Sequence, residues 1–202
     1  MNQEGDVEAE VERAIRLAFG QGAQILDSHL TPFPLDEVSS RVEGLRALRG
    51  HDRYSLLDTT RWVDFGVLNR ISPRAAWHFA PSFMLMTLRH EREHEYVELM
   101  DLFRFTDDLR SQMEERPSSP THLREMLMTH LRRMPLEEAT SLQPGGPLKL
   151  DWYCRVLSFY SPQECKAVAA FLRWLCRRWP DDEGLGLMLE AYWSQWTEPD
   201  SA

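Results

Sequence analysis

A chain of 202 residues with 43% apolar and 27% charged side chains has the length and composition of one globular domain with a sizeable core, and its seven tryptophans demand burial. Its 32 acidic against 23 basic residues give a formal charge of −9, which repels a phosphate backbone and points away from nucleic acid and toward a basic protein partner. No apolar run reaches the roughly 20 residues of a membrane span, and the acidic opening MNQEGDVEAEVE is unlike a signal peptide, so the expected location is cytoplasmic.

In chain order, the periodicity predicts a first helix over residues 7–19, with Val11, Ala14, Ile15 and Ala18 on one face and Gly20 and Gly22 as its stop. Residues 25–34 carry Pro32 and Pro34 and read as a loop. Val38, Val42, Leu45 and Leu48 then recur at helical spacing, a second amphipathic helix broken at Gly50. His51 and Asp52 fall in the next turn, where polar side chains are solvated. Residues 56–68, with Trp62, Val63, Phe65, Val67 and Leu68, are densely apolar but weakly periodic and are read as helical turns.

Ser72 followed by Pro73 is a helix start, because serine caps open amides and proline suits the first helical position. That helix carries Ala75, Ala76, Trp77 and Phe79 to Pro81, which either kinks it or opens a new one. Residues 83–88 are apolar almost all round, which predicts burial on every side. A continuation to Phe103 would place Tyr96, Leu99, Met100 and Phe103 opposite His90, His94, Glu98 and Asp101.

Residues 106–119 are polar and proline-bounded and predict a mobile connection. Helix resumes near Thr121, with Leu123, Met126, Leu127, His130, Leu131 and Met134 on one broad face, and ends at Pro135. The sequence Gln143-Pro144-Gly145-Gly146-Pro147 reads as a clear turn, the place a C-terminal subdomain would begin. A short helix over 151–159 precedes the capping box of Ser161 and Glu164, with Pro162 at the first helical position. Cys165, Val168, Leu172, Leu175 and Trp179 form the core stripe of the helix that follows. Asp181 or Asp182 caps a last helix with Leu187, Met188, Ala191, Tyr192 and Trp196, and residues 198–202 fray. The reading is a mainly α, multi-helix bundle with little or no β: one domain over residues 1–202, with a helical subdomain at 148–197 as the alternative division.

One stretch has the letters of a metal site, His90-Glu91-Arg92-Glu93-His94. Histidines four apart on a helix can bind one zinc ion while the intervening glutamate acts as general base. His90 and His94 would be the ligands and Glu91 the base, with Glu114, Glu115, His122 and His130 as candidate third ligands. Against this, charged Arg92 and Glu93 stand between the ligands, and Arg89 and Glu93 have the spacing of an ordinary surface ion pair. No strand suited to aligning a peptide is evident nearby.

The three cysteines, Cys154, Cys165 and Cys176, form no CxxC pair and are expected to be reduced and at least partly buried. His78, between Trp77 and Phe79, reads as a hydrogen-bonded core residue. Trp193 and Trp196 read as core rather than as a ligand-stacking surface. No nucleotide-binding or serine-hydrolase motif occurs.

Residues 71–85, Ile-Ser-Pro-Arg-Ala-Ala-Trp-His-Phe-Ala-Pro-Ser-Phe-Met-Leu, with Ala18-Phe19 before them and Ser161-Pro162 to Phe171-Leu172 after, resemble a family of uncharacterised bacterial soluble domains. The resemblance spans most of the chain, rests on helix starts and packing residues, and implies no activity. The first functional expectation is a non-enzymatic bacterial cytoplasmic protein, without cofactor, that binds another protein, in an immunity, antitoxin-like or regulatory role. The alternative is a small zinc hydrolase using His90, Glu91 and His94. A third is small-molecule binding in a tryptophan-lined pocket.

Overall fold

A computed structural model describes residues 3–22, 24–30, 48–58, 71–89, 100–113, 115–133 and 150–196. The chain is mainly α, and the described residues contain no strand. The second amphipathic helix, apart from Leu48, the turn at 143–147, Pro135 and the end at 198–202 lie outside the described residues, as do residues 59–70.

Helix α1 spans Gln3–Phe19, buries Val11, Ile15 and Phe19, and keeps Ala14 and Ala18 half-buried, the expected face. Gly20, at φ 57°, turns the chain after it, a left-handed conformation that glycine adopts without a Cβ penalty. The loop expected at 25–34 contains one helical turn, α2 (Asp27–Leu30), whose Leu30 is fully buried. A 3-10 turn at Ser55–Asp58 agrees with the helical turns expected from residue 56.

Helix α3 (Pro73–Arg89) is enclosed over most of its length, with Phe79, Phe83, Met84 and Leu85 buried. Ser72 caps it by accepting from the Ala75 amide at 3.0 Å. The helix runs unbroken through Pro81, so of the two outcomes expected there a fresh helix start is not the one taken. Pro81 removes the amide that would bond the carbonyl four residues back, but the residues on both sides of it are buried.

Residues 106–119 differ from the mobile connection expected. Thr106 accepts from the Leu109 amide at 3.2 Å and caps helix α4 (Asp107–Ser111), and fully buried Leu109 pins it to the core. The polar composition hid this because one apolar anchor and one cap suffice for a single turn. Helix α5 (Pro120–Arg133) buries Leu123 and Leu127, and α6 (Leu150–Phe159) buries Trp152 and Tyr153.

Helix α7 (Pro162–Arg178) starts on the capping box: Ser161 Oγ accepts from the Glu164 amide at 3.3 Å, and Glu164 Oε2 accepts from the Ser161 amide at 2.8 Å. Cys165, Val168, Leu172 and Leu175 are buried along it as their spacing predicts, and Trp179 is half-buried. Asp182 accepts from the Leu185 amide at 3.0 Å and caps α8 (Glu183–Ala191), which passes into a 3-10 turn at Trp193–Trp196.

The packing closes a ring. Helix α1 lies on α3, α3 on α6, α6 on α5, α5 on α8, α8 on α7, and α7 again on α1. Buried aromatic residues meet within this packing: Phe103 meets Phe171 at 5.8 Å between ring centres, and Tyr160 meets Trp193 edge-on at 5.5 Å. No described helix is long and apolar enough to cross a membrane.

Candidate functional site

His90, Glu91, Arg92, Glu93 and His94 lie outside the described residues, as does Glu114. Of the candidate third ligands, Glu115 is exposed, His122 Nδ1 accepts from the Ser118 amide at 3.3 Å, and His130 Nε2 pairs with Asp151 Oδ1 at 2.5 Å. Among the described residues, no three His, Cys, Asp or Glu side chains are placed to hold one metal ion.

The thiols are free. Burial pushes Cys154 and Cys165 up to about 12 and raises Cys176, so none is poised as a thiolate nucleophile near neutrality. Trp193 is fully buried, and half-buried Trp196 packs against the core, as expected of core rather than stacking residues.

Among the described residues, a buried polar group centres on Arg53, which is only 7% exposed. It was not legible in the sequence, where Arg53 is one cation in a polar turn. Its guanidinium lies 4.6 Å from the centre of the Trp77 ring and 5.6 Å from that of Phe19. Nη1 donates to the Phe19 carbonyl, at the negative end of α1, and stands 3.9 Å from Glu164 Oε1 at the positive end of α7. The Arg53 carbonyl accepts from Ser82 Oγ of α3 at 2.5 Å. One residue thus joins three helices. Burial lowers its pKa and Glu164 opposes the shift.

His78 is buried beside this group, edge-on to Phe79 at 4.8 Å, and hydrogen-bonds the His51 backbone. Burial first, and the Arg53 charge second, depress it to about 4, so it is neutral at pH 7. This is the core histidine the sequence suggests. Arg53, Glu164 and His78 hold the fold together: their contacts run between α1, α3 and α7.

An open groove lies elsewhere, between the starts of α4 and α8, with a volume of 680 Å³. The Phe105 amide donates to the Gly184 carbonyl at 3.1 Å across its base. A Cβ at Gly184 would come within 2.8 Å of the Phe105 carbonyl, so only glycine permits this approach. Four carboxylates, those of Asp107, Asp181, Asp182 and Glu183, line it against two cations, Arg104 and Arg110.

Both cations already have partners. Arg104 meets Asp101 at 2.5 Å and Asp182 at 3.4 Å, and Arg110 meets Asp107 at 3.4 Å while lying over the Phe105 ring. Asp181 and Glu183 have no side-chain partner among the described residues, and the Asp107 side chain is 95% exposed. Half-buried Trp179 forms part of the wall. The groove therefore presents uncompensated negative charge beside an indole, which suits a cation with some apolar body. Sequence reading placed Trp179 in a core stripe and Asp182 at a cap; what it missed is that residues 104–110 come to lie against them.

Compared with known proteins, the chain matches no family model, no curated protein and no solved structure.

Proposed function

We propose that this chain is a non-enzymatic, protein-binding domain of a bacterial cytoplasmic protein, in an immunity, antitoxin-like or regulatory role, and that its partner presents a basic segment to the groove between α4 and α8. The observation that carries this reading is the pair of carboxylates, Asp181 and Glu183, without side-chain partners among the described residues, beside the Trp179 wall of a 680 Å³ groove. The overall charge of −9 favours the same encounter at longer range. The resemblance to uncharacterised bacterial soluble domains adds no activity to it.

The test is calorimetric titration of the full chain with an arginine-rich peptide and with a glutamate-rich peptide of equal length. Binding of the first alone is expected, weakening as salt is raised and falling about tenfold or more in an Asp181→Asn, Glu183→Gln variant. Equal binding of both peptides, or no loss in the variant, would overturn the reading. The zinc-hydrolase alternative through His90, Glu91 and His94 has its own test in the zinc content of protein purified without chelator. About one zinc per chain, lost in a His90→Ala, His94→Ala variant, would establish that site.

A further inference from the structure

A second cavity, of 380 Å³, opens between α5, the start of α6 and the residues that follow α4. It is built differently from the acidic groove. On α5, His122, Met126, Thr129 and Arg133 follow one another at spacings of four, three and four, so they form one helical stripe facing the cavity. Leu123 and Leu127 form the neighbouring stripe and bury into the core. Helix α5 thus has a packing face and a second, mixed face. Across the cavity stand Met113 and Leu150, with the Leu150 amide donating to Gln112 Oε1 at 3.0 Å to close one end.

Hydrogen bonds set the polar character of the walls. His122 Nδ1 accepts from the Ser118 amide at 3.3 Å, and an amide can only donate, so Nδ1 is unprotonated and the ring proton sits on Nε2. His122 therefore brings a donor. Arg133 has no partner among the described residues, and its guanidinium is a permanent fork of donors. Among the described residues lining the cavity, Glu125 is the carboxylate, and it stands two helical turns and about 12 Å of rise before Arg133. An anion is repelled from the Glu125 end and held at the Arg133 end. The apolar surface comes from Met113, Met126 and Leu150, and thioethers pack well against aromatic rings.

We propose that this cavity is a binding site for a small aromatic carboxylate, its ring between Met113, Met126 and Leu150 and its carboxylate on Arg133. The volume is that of a site for a small organic molecule, an apolar surface with a few convergent polar groups. Arginine and carboxylate match as a two-pronged hydrogen-bonded pair, which sets the ligand's direction.

The experiment is equilibrium dialysis of the full chain against 2-naphthoate, with 2-naphthylmethylamine as a probe of the same shape and opposite charge. Saturable binding of the naphthoate, and none of the amine, is expected. Arg133→Gln, an exposed change that leaves the core intact, should weaken naphthoate about tenfold or more, and Met126→Lys should abolish binding with the thermal midpoint unchanged. Lack of naphthoate binding at millimolar concentration, equal binding of the amine, or affinity unchanged by both substitutions would each overturn the proposal.

Discussion

Arg53 and Glu164 meet inside the protein, Nη1 to Oε1 at 3.9 Å, with both side chains more than nine-tenths buried. Charges taken out of water this far depend on each other. Arg53→Ala should therefore cost about 3–5 kcal/mol, because it leaves the Glu164 carboxylate buried without its counter-charge and opens a gap between Phe19 and Trp77. Arg53→Met with Glu164→Gln fills the space and removes both charges, and should recover most of that loss. Urea unfolding of the three proteins at pH 7 checks both expectations.

His78 makes stability depend on pH in a definite direction. Its folded pKa is depressed from 6.5 to about 4, so between those values the unfolded chain takes up a proton that the folded chain does not. The contribution of neutral His78 is intact above pH 6.5 and is lost as pH falls toward 4, by about 3 kcal/mol at about 1.4 kcal/mol per unit. Unfolding at pH 7.5 and pH 4.5 should show a larger loss in the wild type than in His78→Phe.

Two glycines of α8 should respond oppositely to the same change. Gly184→Ala puts a Cβ 2.8 Å from the Phe105 carbonyl and should cost about 1–3 kcal/mol while weakening peptide binding in the acidic groove. Gly186→Ala meets nothing within 4 Å and should raise stability by up to about 1 kcal/mol, the gain in helix propensity. Thermal midpoints of the pair decide the matter.

The thiols should be slow to react until the chain opens. Cys154 and Cys165 are buried and their pKa values are pushed up to about 12, while Cys176 is partly exposed. A chromogenic disulfide at pH 7.5 should modify Cys176 first and slowly, and all three cysteines at once in denaturant. Rapid labelling of Cys154 or Cys165 in the native protein would contradict this packing.

The sequence by itself determined the elements whose causes are local. The faces of α1 and α7, the caps of Ser72, Ser161 and Asp182, and the enclosure of Phe83, Met84 and Leu85 all follow from helical spacing or from bonds spanning three residues. The helical fold class follows from the same patterns, as do the core placements of His78 and Trp193 from their apolar neighbours. The candidate zinc motif was legible only as letters, and its five residues lie outside those described. Only the tertiary structure decided that Pro81 stays within a helix, because the packing around it offsets a missing amide that local rules count as a break. It alone brought Arg53 to Phe19, 34 residues away, and to Ser82, 29 residues away. It alone set Arg104 against Asp182, 78 residues away, to build the groove. Periodicity reports which side of a helix avoids water; which distant helix covers that side, and which charges then meet, depends on packing that no local pattern encodes.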